Sequence, residues 1–190
     1  MTMQNRLYLV AAVLLSTAAV PQLAQAVPIL NGHEYQLVNA EGGSWTSANA
    51  AATSAGWYLA TVTTAAENDF IVANLLQGLG VADRSHYWIG GTDAALEGTF
   101  TWLTGEAFGG YTNWWSGEPN NVNNEDFIAF DVRGEAWHWN DAPDNLGEVY
   151  GFARGYIMER SQPSPVPEPA SLTLLGLGLL AVGFTRRKRG

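Results

Sequence analysis

The residues best equipped for chemistry are Glu118, Asn120, Glu125, Asn140 and Asp141, which fall in one short region rich in Trp, Asn and Gly. All five carry side-chain oxygens. Carboxylates mixed with amide carbonyls suit a hard cation such as calcium, which takes six to eight oxygen ligands at about 2.3–2.6 Å. An ionised carboxylate only accepts hydrogen bonds, whereas an amide also donates them. A cation ringed by Glu and Asn therefore offers acceptors, donors and a Lewis acid together, and a diol can engage all three. His33, His86 and His138 are scattered without zinc-like spacing and receive no role.

The elements that must position this set can be read from periodicity and caps. Tyr35–Val38 reads as a short first strand. Ala48, Ala51, Ala52 and Ala55 recur at helical spacing and give a small-residue face able to lie close to a sheet. Thr64-Ala65-Ala66-Glu67 is a capping-box sequence that opens a second helix running to about Gln77. Strands are expected at Trp57–Val62, Tyr87–Ile89, Phe100–Leu103, Phe127–Val132, Ala136–Trp139 and Gly151–Met158. Both helices come early and no βαβ alternation follows, so the class is α+β. Thr104–Glu125 is too long and polar for a plain connection, and such loops usually carry function. His138 alternates with Trp137 and Trp139 along its strand and is expected on the exposed face.

In order and spacing these segments resemble the C-type lectin-like domain, from about His33 to Glu159. Gly43-Ser44-Trp45, Tyr58-Leu59-Ala60-Thr61-Val62 and Glu67-Asn68-Asp69-Phe70 look like the family's two helices and the strand between them. Trp88-Ile89-Gly90 resembles its central strand, although Gly91 stands where a larger apolar residue is usual. Tyr111-Thr112-Asn113-Trp114, Glu118-Pro119-Asn120, Glu125-Asp126 and Trp139-Asn140-Asp141 complete the match. The resemblance implies two helices packed on small antiparallel sheets, with Trp88, Trp102, Trp114 and Trp139 buried. It also implies that Glu118, Asn120, Glu125, Asn140 and Asp141 hold the calcium through which sugar is bound. Pro119 is expected in cis, a geometry that would aim Glu118 and Asn120 at one point. Glu-Pro-Asn goes with mannose-type ligands in this family, and Asn121-Val122-Asn123 supplies no stacking ring of the galactose-binding kind. The Glu118–Glu125 spacing is one residue shorter than the resemblance leads one to expect. Asp93, Glu97, Asn121, Glu125 and Asp126 resemble the auxiliary calcium site, with a solvated acidic loop as the alternative.

The two ends read as addresses. Arg6, the apolar run Leu7–Val20 and Ala24-Gln25-Ala26 make residues 1–26 a secretory signal peptide; the run is shorter than the ~20 residues that span a bilayer. The domain is assigned to 27–160 and a Pro/Ser linker to 161–166. Residues 167–190 then join Pro167-Glu168-Pro169 to an apolar run, Ala170–Phe184, and to Arg186-Arg187-Lys188-Arg189. This order resembles the PEP-CTERM sorting signal of Gram-negative bacteria. It implies transient inner-membrane association, cleavage by an exosortase-type protease and release to the cell surface or matrix. A permanent transmembrane helix is the alternative.

Between these signals, residues 27–165 keep 17 of the 18 acidic and four of the nine basic residues, a net charge of −13. That argues against nucleic acid, whose phosphates need basic surface. Cysteine is absent, although animal members of the family carry disulfides. By the same resemblance Ala52 and Met158 take one bridge's positions, and Phe127 and Asp144 the other's, with a looser loop expected after Asp141. The expected function is calcium-dependent binding of glycans or exopolysaccharide, without catalysis. The rival is a matrix or protein-interaction module in which the lectin-like fold binds no sugar. A glycosidase carboxylate pair is disfavoured, because a metal cage already accounts for the acids.

Overall fold

A computed structural model describes residues 27–145 and 152–162. Strand β1 (Ile29–Leu30) turns into β2 (His33–Asn39), followed by helix α1 (Trp45–Ser54), β3 (Tyr58–Leu59) and α2 (Ala65–Ile71). Then come β4 (Ser85–Thr92), β5 (Thr101–Trp102), β6 (Phe127–Arg133), β7 (Ala136–Ala142) and β8 (Phe152–Ser161). The strands form one sheet in the order β1-β2-β8-β4-β6-β7, with β3 added on β8 and β5 on β4. Pairing is antiparallel except between β4 and β8, so the sheet is mixed. This is the expected α+β architecture.

Helix α1 starts where the Ser44 side chain accepts from the Ser47 N–H. Its buried face is Trp45, Ala48 and Ala52, whereas Ala51 and Ala55 are exposed. The alanine stripe was therefore half right: Trp45 does the anchoring, donating from Nε1 to the Ile89 carbonyl at 2.7 Å. The capping box of α2 forms as expected, with Glu67 taking the Thr63 and Thr64 amides at 2.8 and 3.0 Å. Beyond Ile71 the helix widens into a π-helical turn, Val72–Leu76, before ending at Gln77.

The strand expected at Trp57–Val62 shrinks to two residues. Gly90 shows how tightly the chain passes there: a Cβ on it would lie 2.5 Å from the Leu59 carbonyl oxygen. The neighbouring Gly91 is explained by Ile128, whose Cδ1 would sit 2.4 Å from an added Cβ. The larger apolar group is thus supplied from β6. Where β2, β3 and β8 meet, the buried Glu159 carboxylate accepts from the Thr61 amide (2.9 Å), the Tyr58 hydroxyl (2.9 Å) and His33 Nδ1 (2.6 Å). Burial still pushes its pKa above the ordinary carboxylate value.

Two apolar clusters flank the sheet. One gathers Tyr35, Ile71, Leu76, Ile89, Trp102, Ile128, Phe130 and Trp139; the other gathers Trp45, Ala52, Leu59, Trp88, Ala129 and Met158. Ala52 and Met158, at one set of bridge positions, pack in this second cluster. At the other set, Phe127 stacks on Trp45 with centroids 4.4 Å apart. Asp144 receives the Thr46 amide on Oδ1 at 2.8 Å, and its carbonyl receives the Trp45 amide at 3.2 Å. The chain just after Asp141 is therefore tied to the start of α1, rather than loosened as far as Asp144.

Ser161, placed at the head of the linker by composition, pairs with His33 as the end of β8. Among the described residues no helix is long and apolar enough to cross a membrane. Leu7–Val20, Gly151, the sorting tail and most of the linker lie outside the described residues.

Candidate functional site

The long polar segment is stitched to β7 rather than hanging free. Trp139 donates its amide to the Asn113 carbonyl (2.7 Å), and Trp115 donates to the Trp139 carbonyl (2.9 Å). Above them Trp102, Tyr111 and Trp114 meet the Trp139 ring edge to face, at centroid distances of 5.7, 5.8 and 5.7 Å. Trp88, Trp102 and Trp139 are buried as expected, but Trp114 is only half-buried. This aromatic floor carries the segment to Glu118, whose bond to Pro119 is cis as expected. Asn121, Asn123 and Asn124 then take φ of 48°, 62° and 69°, a left-handed region that Asn tolerates better than most residues. The Asn-rich spelling thus has a backbone cause.

These turns bring the predicted set together. The Asp141 carboxylate, buried at the end of β7, accepts the Asn120 and Asn121 amides at 3.2 and 2.8 Å. Glu125 Oε2 accepts the Val122 amide at 3.0 Å, while the Glu125 amide donates to Asn121 Oδ1 at 2.7 Å. Glu118, Asn120, Glu125 and Asn140 line one recess of about 210 Å³, together with Arg84, His86, Val122, Asp131 and Arg133. Burial, then repulsion from Asp141 and Glu118, pushes the Glu125 carboxyl from 4.5 up to about 7. Burial raises Glu118 as well, against the pull of Arg133.

Sequence reasoning missed Arg133. Its Nη2 donates to Glu118 Oε1 (3.1 Å) and Asn140 Oδ1 (3.0 Å), and its Nε donates to Asp131 Oδ2 (2.8 Å). The guanidinium also lies 5.0 Å over the Trp115 ring. His138 is half-buried against the same ring, at 4.4 Å, rather than fully exposed. His86 is buried with Nδ1 on the Arg84 carbonyl at 2.9 Å, and burial lowers its pKa against the pull of Asp131. The signal that pointed to Arg133 was available: it is one of only four basic residues in 27–165. Its placement came only with the β6–β7 register, which sets Arg133 opposite Ala136 on the face that Asp131 and Ala129 share with His138 and Asn140.

Whether calcium fits can be judged from the oxygens. Glu118 Oε2 is buried with no hydrogen-bond partner. The Asn140 amide nitrogen donates to the Asp141 carbonyl while its Oδ1 accepts from Arg133, so one Asn140 oxygen faces the recess. Among the described residues, no three carboxylate or imidazole groups close on one point tightly enough to hold a metal alone. The set therefore needs its amides, Asn120 and Asn140, and Arg133 already reaches Glu118 and Asn140. On the donor chemistry the group fits.

The second acidic set is only partly assembled. The Asp93 amide donates to the Asp126 carbonyl at 3.1 Å, and Asp93 Oδ2 accepts the Gly98 amide at 2.9 Å. Asp93 Oδ1 is buried without a partner, and burial followed by repulsion from Glu97 and Asp126 raises its pKa. Glu97 is exposed. Asn124 holds Asp126 Oδ2 at 2.6 Å, while the Glu125 carboxylate and Asn121 serve the first site.

Comparison with known proteins identifies the domain. The family model for the Lectin C-type domain matches residues 41–149, and the PEP-CTERM protein-sorting motif matches residues 165–189. The chain belongs to the C-type lectin domain family and carries a PEP-CTERM sorting motif at its C-terminal end. It is 32% identical over 117 residues to a perlucin-like protein of Mytilus galloprovincialis, spanning 62% of this chain and 70% of that one. It is 32% identical over 114 residues to the human C-type mannose receptor 2, spanning 60% of this chain but only 7% of the receptor. Among solved structures it resembles the C-type lectin CEL-I from Cucumaria echinata, with a TM-score of 0.60 and 28% identity, covering 73% of this chain and 96% of CEL-I.

Proposed function

We propose that residues 27–160 form a calcium-dependent carbohydrate-binding module, exported and displayed at the cell surface or in the matrix of a Gram-negative bacterium. The observation that carries this reading is the gathering of Glu118, Asn120, Glu125 and Asn140 around one recess, with the Asp141 carboxylate bracing its loop. Glu118, Asn120, Glu125, Asn140 and Asp141 would hold the ion. Calcium, when bound, supplies a Lewis-acid contact for two sugar hydroxyl oxygens. The carboxylates accept hydroxyl protons beside it, and the Asn120 and Asn140 amides donate. Equatorial 3- and 4-hydroxyls of mannose-type sugars suit the Glu-Pro-Asn order, and a relative that bears the name mannose receptor supports that choice. No residue here is assigned to bond cleavage.

Asp93 with its unpartnered oxygen supports a second cation, shared among Asp93, Glu97, Asn121, Glu125 and Asp126. The PEP-CTERM motif supports processing by an exosortase-type protease after signal-peptide-directed export. One observation favours the rival reading, a matrix or protein-interaction module that binds no sugar: Arg133 already bridges Glu118 and Asn140. Binding to a glycan array in calcium and in chelator separates the two. Signals that vanish with chelator support the lectin reading, and chelator-independent protein capture without glycan signals supports the rival.

A further inference from the structure

Arg133 invites a stronger statement about the same site, one that rests on the calcium reading. Glu118 is a nearly buried carboxylate, 7% exposed. Such a group is costly to leave without a positive partner. In this structure the partner is the Arg133 guanidinium, which reaches Glu118 and Asn140 through a single nitrogen, Nη2. The rest of the side chain is anchored elsewhere, through Nε on Asp131 and through contact with the Trp115 ring. Arg133 is also 36% exposed. Its Nη2 edge can therefore leave Glu118 for water while the Asp131 pair persists.

One positive charge does not satisfy the site. Glu118, Glu125 and Asp141 repel one another, and Glu118 Oε2 keeps no partner even with the guanidinium in place. A divalent cation would serve more of these oxygens than Nη2 can reach. Nη2 already holds Glu118 and Asn140, two of the residues the ion would draw on.

We infer that Arg133 is a built-in rival of the cation: its guanidinium braces Glu118 and Asn140 in the calcium-free protein and must release both when calcium binds. Arg133 thereby sets the calcium concentration at which the site becomes competent for sugar. It also keeps the empty site from flying apart by like-charge repulsion. The two roles have opposite signatures. Loss of Arg133 should tighten calcium binding yet weaken the calcium-free fold, whereas loss of a merely structural residue would weaken both.

The test compares the full chain and its Arg133→Gln variant, purified in detergent, by calcium titration calorimetry and by thermal melting in chelator. Arg133 is partly exposed, so water screens its pair with Glu118, and the variant should bind calcium about two- to fivefold more tightly while melting lower without it. Arg133→Lys keeps the charge but not the fork, and should fall between the two in calcium affinity; it serves if the Gln variant does not fold. In the wild type, the Arg133 Nε–H NMR signal should shift with the same calcium midpoint as the heat signal. Equal or weaker calcium affinity in both variants would overturn the inference and leave the calcium site standing. Failure of wild type and variants alike to take up calcium would overturn the calcium reading itself, and the rivalry with it.

Discussion

Removing calcium should make this domain less stable as pH rises, and Glu125 provides the magnitude. Burial and the neighbouring Asp141 and Glu118 carboxylates push its carboxyl up to about 7, against an ordinary 4.5. The folded state therefore binds a proton that the unfolded state releases, throughout the window between those values. By linkage this contribution is fully present below about pH 4.5 and is lost as pH climbs through 7. At about 1.4 kcal/mol per pH unit the gap corresponds to roughly 3 kcal/mol, and opening of the loop to water would reduce it toward about 1 kcal/mol. For a domain of this size that is a fall in melting midpoint of roughly 4–12 °C between pH 5 and pH 8. The assay is thermal melting of residues 27–165 in chelator across that range, alongside Glu125→Gln, which cannot ionise. The variant should show a flatter profile, and saturating calcium should reverse the wild-type slope because the ion binds only the ionised carboxylate. Matching pH profiles for wild type and Glu125→Gln in chelator would refute the reasoning.

Other outcomes follow from the same structure. Asn140→Ala or Glu118→Ala should abolish calcium-dependent glycan binding while the far-ultraviolet circular dichroism stays native, since neither side chain belongs to an apolar cluster. Glu159→Ala should destabilise the domain by about 1–3 kcal/mol in urea unfolding, because it leaves the buried Thr61 amide unsatisfied; a loss below about 0.5 kcal/mol would show that the network contributes little. Replacing Pro167-Glu168-Pro169 by alanines should leave the protein in the inner membrane at uncleaved mass, whereas intact-mass measurement of released wild type should find residues 170–190 missing.

How much of this was legible in the sequence depended on the distance over which each feature is encoded. Glu118-Pro119-Asn120, the Asn-rich turns and Trp139-Asn140-Asp141 are local, so their spacing alone singled out the candidate set that the fold gathers. The capping box at Thr64 was equally local and formed as read. Arg133 was missed because its meaning lies in the β6–β7 register, which sets Ala129 opposite Asn140 and Asp131 opposite His138. The tie from Asp144 to Thr46 joins residues 98 apart in sequence and replaces part of what a covalent bridge would do, a substitution that no local pattern announces. The alanine stripe in α1 misled about Ala51 and Ala55 because small residues are tolerated on an exposed helix face as readily as against a sheet. The shortened β3 reflects the close passage of Leu59 over Gly90, a tertiary contact that strand propensity at Trp57–Val62 could not foresee.

The central claim is that Glu118, Asn120, Glu125, Asn140 and Asp141 bind sugar through calcium. It is tested most directly by capturing the domain, immobilised at high density, on a mannose-type polysaccharide in calcium and then adding chelator. High density matters because Asn121-Val122-Asn123 supplies no aromatic side chain to stack on a sugar, so a single site should bind at about millimolar strength. Capture in calcium, prompt release by chelator, recovery when calcium is restored and no capture by Asn140→Ala are expected. Capture that survives chelator, or that Asn140→Ala retains, would contradict the central claim.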